Sequence, residues 1–297
     1  TLASKTDLNA ELSLSYFVAN CGWTPKYNLR AKNVNSPLEL NYKADVYQNT
    51  GYDWKNVDLI LSTGEPLKSG TKPTLQKWVL NQNAIYGSKS SNTAKSFTNT
   101  SFKLKTKYSI PSSGKNYSAD LIDYKIPATY KYSCVPKIEE AAFLMAQIAN
   151  WEQYNLLSGE VNLFFEGTFV GKSMLDVTSP EDTLLFSLGR DKNVIVKREK
   201  IDEFNKNQLL GNKKVEMFAW EISVRNNKQQ EIDLTIEDQV PVTNSREIDV
   251  KYIDLGGAEK EKNTGIVNWQ LKLKPSENKK IGFRYEVRYP SDISLVL

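Results

Sequence analysis

The chain predicts an all-β fold, a large β-sandwich region followed by an immunoglobulin-like β-sandwich. Three observations lead there. Apolar and polar residues alternate with period two almost from end to end. Clusters of Gly, Pro, Asn, Asp and Ser interrupt the alternation at short intervals. Only two stretches depart from it.

The first predicted strand holds Leu12, Leu14, Tyr16 and Val18 on one face. Leu38, Leu40, Tyr42, Ala44 and Val46 repeat the pattern, with Glu39, Asn41, Lys43 and Asp45 opposite. Val57, Leu59 and Leu61 follow, then Phe102, Leu104, Thr106 and Tyr108, then Val161, Leu163 and Phe165. Turns are expected at Thr50-Gly51, Pro111 to Gly114, Ser158-Gly159, Gly167 and Asp191 to Asn193. Beyond these, Phe218, Trp220, Ile222 and Val224 form a strand that turns at Asn226-Asn227-Lys228 into Ile232, Leu234 and Ile236. Ile248, Val250 and Tyr252 come next. Past Gly256-Gly257 lie Val267, Trp269, Leu271 and Leu273, and Pro275 to Asn278 turn the chain into Ile281, Phe283, Tyr285, Val287 and Tyr289. This succession predicts the smaller sandwich at 213–297, after a larger region at 1–212 that holds one or two sub-lobes.

Two segments stand apart. Residues 71–100 are rich in Ser, Asn, Thr and Lys and predict a variable surface excursion, with a short amphipathic helix around Leu75, Trp78, Val79 and Leu80. Trp78 and Tyr86 would form a partner-binding loop there. In 138–154, Ile138, Ala141, Ala142, Met145 and Ile148 fit helical spacing, while Phe143 to Trp151 fits a buried strand equally well.

Composition excludes several function classes. None of the 297 residues is histidine. That removes Ser-His-Asp and Cys-His nucleophiles, His-ligated zinc and His-held haem, so no cofactor is expected. A net charge of +4 with interspersed signs gives no footprint for nucleic acid. No run approaches the ~20 apolar residues of a membrane span. The chain begins at Thr1 rather than Met and reads as a trimmed piece of something longer. Cys21 and Cys134 could form one disulfide or sit as two small buried hydrophobes.

Gly167-Thr-Phe-Val-Gly171-Lys172-Ser173 imitates a phosphate-binding loop, but Glu166 stands where the first glycine belongs. A hairpin is expected there instead of the required strand-loop-helix. Glu160 and Glu166 lie ~20 Å apart along one strand, too far to serve one glycosidic bond. Glu237-Asp238-Gln239 lacks the spacing of a calcium loop and reads as a solvated strand end. The candidate ligand residues are Trp23, Tyr27, Tyr52, Asp53, Trp54 and Glu166. An aromatic face beside a carboxylate grips a sugar ring by stacking and hydroxyl hydrogen bonds. The competing reading has Trp23 and Trp54 plugging the sandwich core, and Glu166 pointing outward before a turn.

Five ordered stretches together resemble one family. They are Leu14-Ser-Tyr-Phe-Val-Ala-Asn-Cys-Gly-Trp-Thr-Pro-Lys-Tyr27, Gln48-Asn-Thr-Gly-Tyr-Asp-Trp-Lys-Asn-Val-Asp-Leu-Ile-Leu-Ser-Thr63 and Tyr108-Ser-Ile-Pro-Ser-Ser-Gly114. Asn155-Leu-Leu-Ser-Gly-Glu-Val-Asn-Leu-Phe-Phe-Glu-Gly-Thr-Phe-Val-Gly-Lys-Ser173 and Glu237-Asp-Gln-Val-Pro-Val242 complete the set. The chain resembles the large C-terminal domain of bacterial mucoidy-inhibitor-A-like proteins, a domain of unknown function. The resemblance implies an N-terminal domain and coiled coil ahead of this region, an exported or periplasmic location, and a strand at Phe143 to Trp151. It brings no established reaction. Cys21 and Cys134 stand where small residues such as alanine are expected, which hints at a pair special to this protein. The expected function is a non-enzymatic envelope module that binds or scaffolds a protein partner or cell-surface glycan. A carbohydrate-binding module is the first alternative, and a carboxylate-dependent glycan hydrolase the second.

Overall fold

The computed structural model describes residues 9, 11–64, 100–178, 182–202, 207–210 and 212–295. Among them there is no α-helix. The strands are, in chain order, β1 (Cys21–Ala31), β2 (Leu38–Gln48), β3 (Trp54–Val57), β4 (Ile60–Ser62), β5 (Ser101–Lys103), β6 (Tyr108–Ile110), β7 (Tyr117–Ile126), β8 (Thr129–Val135), β9 (Glu139–Ala149) and β10 (Gly159–Phe165). They continue as β11 (Thr168–Leu175), β12 (Thr183–Arg190), β13 (Val194–Lys200), β14 (Asn207–Leu210), β15 (Lys213–Asn226), β16 (Ile232–Gln239), β17 (Asp249–Asp254), β18 (Glu259–Lys260), β19 (Ile266–Leu273) and β20 (Asn278–Pro290). The all-β, sandwich-type fold is thus as the sequence predicts.

The chain divides into two compact units, one of Thr1–Thr24 and Lys43–Ile122, the other of Pro25–Tyr42 and Asp123–Leu297. Strands β1, β2 and β7 each carry residues of both. The first unit has a core of Ala44, Val46, Leu61, Leu104, Ile110 and Ala119. Two short ribbons, β3 with β6 and β4 with β5, belong to it. Each of the runs expected at 57–61 and 102–108 is broken in two here, because Asp58-Leu59 and Leu104 to Lys107 leave the ladder. The predicted strand at 12–18 is absent. That stretch pairs with no described strand and leaves Leu12, Leu14, Tyr16, Phe17 and Val18 exposed. Alternation marks a chain able to join a sheet, but a strand exists only when a partner completes its hydrogen bonds. The helix expected at 75–80, with Trp78 and Tyr86, lies outside the described residues.

Three larger sheets are ordered β11-β10-β1-β2-β7, β12-β9-β8-β16-β19-β18 and β13-β15-β20-β17, the last two lying wholly in the second unit. Two of the pairings are parallel, β1 with β10 and β8 with β16. Through β8 with β16, and through the antiparallel pair β13 with β15, strands from before residue 212 share sheets with the C-terminal ones. Residues 139–149 form β9, so the strand that the resemblance implied at Phe143 to Trp151 is present as far as Ala149, while Trp151 instead opens a single 3₁₀ turn, Trp151–Tyr154. Inward faces from facing sheets fill the core, among them Ile148, Phe186, Ile222, Ile236, Trp269 and Phe283.

Asp238 corrects the expectation of a solvated strand end. It shares a face of β16 with Ile232, Leu234 and Ile236 and is buried. Arg198 of β13 meets it with two hydrogen bonds, Nε to Oδ2 at 2.7 Å and Nη2 to Oδ1 at 3.3 Å. The guanidinium lies 3.6 Å above the Trp220 ring. A planar fork over an indole with a bidentate carboxylate suits Arg and not Lys. The pair ties an edge strand of one sheet to the middle of another.

Candidate functional site

The residues singled out around Trp23 do not assemble into a sugar platform. Tyr27 is fully buried, its ring 4.6 Å from that of Tyr42, and its hydroxyl donates to Leu157 O at 2.8 Å. Burial pushes its phenol up to about 12. In the first unit, Trp23 and Trp54 are half-buried against the core cluster. Trp23 meets Phe102 edge-on at 5.9 Å and donates its indole N–H to Ser62 O at 3.0 Å. Asp53 spends its carboxylate on the Ser112 backbone N–H at 2.9 Å. Of the aromatics in this group Tyr52 alone is exposed, at 82%. Its loop is braced by the buried Gln48, whose amide N–H donates to Tyr52 O and Ile110 O.

Glu166 has a different setting. Glu166 and Gly167 both take positive φ, 48° and 79°, and close the β10–β11 hairpin by a two-residue turn. A strand follows instead of a helix, so the phosphate-loop likeness ends there, as the sequence argued. Glu160, on β10 itself, pairs with Lys172 and Lys26.

Four turns of the second unit meet beside Glu166 and enclose an open cleft of about 450 Å³. The β1–β2 turn gives Asn33, Val34 and Asn35; the β10–β11 hairpin gives Phe165 and Glu166; the β12–β13 turn gives Asn193; the β15–β16 turn gives Asn227, Lys228, Gln229 and Gln230. Phe165, Val34 and Lys228 are half-buried, while the carboxamides and Glu166 are exposed.

Short polar side chains fix these turns locally. Asn33 Oδ1 accepts from Asn35 N at 2.9 Å, and Asp191 Oδ1 from Asn193 N at 2.9 Å. Asn226 is wholly buried behind the β15–β16 turn. Its amide nitrogen donates toward Gln230 O, Leu273 O and Lys274 O at 2.9–3.1 Å, and its Oδ1 accepts from Lys228 N at 3.0 Å. Asn227 N donates to Asn193 O at 2.8 Å, joining two of the turns.

Under the cleft lies a charged network. Asp191 Oδ2 accepts from both Tyr132 Oη and Lys228 Nζ, each at 2.7 Å. Burial, the largest influence on Asp191, opposes ionisation. Hydrogen bonds from Lys228, Tyr132 and Asn193 N–H together outweigh it and hold the carboxyl below its usual range. Burial drives the Tyr132 phenol upward, with its hydrogen bond to Asp191 and the nearby Asp191 and Glu166 charges adding to the effect. Lys228 is thus neutralised internally, and among the described residues Glu166 has no ion-pair partner. The cleft presents carboxamides, one carboxylate and a small apolar floor.

Of the six candidates, only Glu166 reaches this cleft. The carboxamides, Asp191, Lys228 and Tyr132 were not singled out as site residues, although three of the four turns, all but that between β1 and β2, were recognised as turns. Cys21 and Cys134 are both free. Cys134 is buried on β8, and burial pushes its thiol up to about 12. No described residues group as a metal site. Among them, no helix is long and apolar enough to cross a membrane.

Residues 12–291 match the family described as Domain of unknown function (DUF4139), and the chain belongs to that family. It is also similar to "Protein F37C4.5" of Caenorhabditis elegans, at 22% identity over 340 residues. The match covers 95% of this chain and 60% of that protein, so the chain spans about three-fifths of the curated relative's length. No solved structure matches.

Proposed function

We propose that this chain is a non-catalytic binding module of a larger cell-envelope protein. The observation that carries the reading is the chemistry of the cleft. Its rims are carboxamides, which donate and accept hydrogen bonds but do not exchange protons near neutrality. General acid–base catalysis needs groups tuned toward the working pH. Here the Asp191 acid is shifted down and the Tyr132 phenol up, both away from neutrality. The lysine that could act as a base or nucleophile is held by Asp191.

The envelope location draws on the likeness to mucoidy-inhibitor-A-like proteins, whose members often carry export signals. The bound partner is a protein or a surface glycan. Fractionation of cells expressing the tagged natural protein tests the location, and recovery of a partner on the purified protein tests binding. Recovery should fail when Asn193 and Gln229 are both replaced by Ala. Residence in the cytosol would overturn the envelope half of the reading. Turnover of a glycan, abolished by Glu166→Gln, would overturn the non-catalytic half in favour of a carboxylate-dependent hydrolase.

A further inference from the structure

We infer that the cleft beside Glu166 takes a short neutral saccharide, which deepens the binding-module reading and rests on it. The hydrogen-bonding groups set the ligand class. A carboxamide offers a donor and an acceptor side by side, which complements neighbouring hydroxyls that each donate and accept. Carboxamides from three turns face this cleft, Asn33 and Asn35, Asn193, and Asn227 with Gln229 and Gln230. Such a rim has many hydroxyl partners and few preferences for anything apolar.

Charge narrows the class. The Lys228 ammonium is satisfied by Asp191 at 2.7 Å, so it offers no unpaired cation to a carboxylate or sulfate. Glu166 is exposed at the rim, and among the described residues it has no ion-pair partner. A uronic acid or phosphate entering here would meet a like charge, with no unpaired cation among the described residues that line the cleft. Neutral hexoses and N-acetylhexosamines meet no such penalty.

Shape completes the argument. About 450 Å³ lies within the ~300–1,000 Å³ usual for small-molecule sites. The half-buried Phe165 and Val34 provide an apolar floor for the C–H face of a sugar ring. Apart from Phe165 at the end of β10, the described lining residues lie in turns and present side chains rather than the extended backbone an added peptide strand would pair with. The turns are fixed in advance by Asn33, Asp191 and Asn226, so little conformational freedom is lost when a ligand binds.

The test is calorimetric titration of the whole chain with neutral hexose and N-acetylhexosamine oligosaccharides, and with glucuronate-containing counterparts. A neutral member should bind, and its acidic counterpart should bind about tenfold more weakly or worse. Glu166→Gln should remove most of that difference. Asn193→Ala with Gln229→Ala should weaken neutral binding by about tenfold without shifting the melting temperature, because two ligand hydrogen bonds are lost from exposed side chains. Tyr52→Ala, in the other unit, should change nothing. Equal binding of acidic and neutral sugars, or binding abolished by Tyr52→Ala, would overturn the inference.

A photo-crosslinker at position 229 in the full-length protein separates this inference from the broader reading. A protein captured there, with every saccharide silent, would overturn the saccharide and leave the binding module standing. Silence in both arms would overturn both.

Discussion

Replacing Arg198 by Ala should be among the most damaging single changes in the second unit. The side chain is 11% exposed and that of Asp238 is 0% exposed. Truncation therefore leaves a carboxylate in the core with no countercharge, and removing one partner of a buried pair costs about 3–5 kcal/mol. Stacking on Trp220 at 3.6 Å adds about 1–2 kcal/mol to the guanidinium's worth. Part of this total, about 4–7 kcal/mol, is recovered as water reaches Asp238, so a net loss of about 3–5 kcal/mol is expected. Arg198→Lys should be intermediate, since an ammonium cannot reproduce the two-point contact. Arg198→Met combined with Asp238→Leu should cost much less than the sum of its parts, because neither charge is then stranded. Urea unfolding followed by tryptophan fluorescence measures these variants together with the two single changes, Arg198→Met and Asp238→Leu. A loss below about 1 kcal/mol for Arg198→Ala, or simple additivity in the double variant, would refute the claim that the charge is held in the core by its partner.

Other consequences follow from the same contacts. Asp191 has a folded-state pKa below its ordinary 3.8, so its stabilising contribution is complete at neutral pH and disappears as acid titrates the folded carboxylate. Asp191→Asn should flatten the acid limb of a stability-versus-pH curve, and an unchanged limb would count against the network. Asn226→Ala should cost about 1–3 kcal/mol, because buried carbonyls lose their shared donor and the Lys228 N–H loses its acceptor. A melting temperature equal to that of the parent would contradict this role. Cys134, with its thiol pushed up to about 12 by burial, should resist a thiol reagent at pH 8 until the protein unfolds. Fast labelling of Cys134 in the native state would contradict its burial.

Much of the fold was legible locally because one physical rule wrote it. Along β2 the burial alternates as Leu38, Leu40, Tyr42, Ala44 and Val46 alternate with polar neighbours. The Glu166-Gly167 hairpin followed from turn chemistry. The same alternation puts Asp238 inward with Ile236, yet its acidity suggested solvent. The compensating Arg198 lies 40 residues away and leaves no local trace. Residues 12–18 show the converse, since they have the pattern of a strand but no described partner. The cleft was illegible for a related reason. Each turn can be read by itself, but their meeting depends on long-range parallel pairings such as β1 with β10, which no local period encodes. The tryptophans drew attention as aromatics beside an acid, whereas packing had already claimed their faces.

The central claim is that the four-turn cleft is where this module binds. Side-chain amide NMR tests it most directly, because the rim is built from Asn and Gln whose NH₂ signals can be observed individually. On addition of a bound saccharide or purified partner, the account predicts that shifts concentrate on Asn33, Asn35, Asn193, Asn227, Gln229 and Gln230. Shifts centred instead on the Tyr52 loop, with these six amides unmoved, would contradict it.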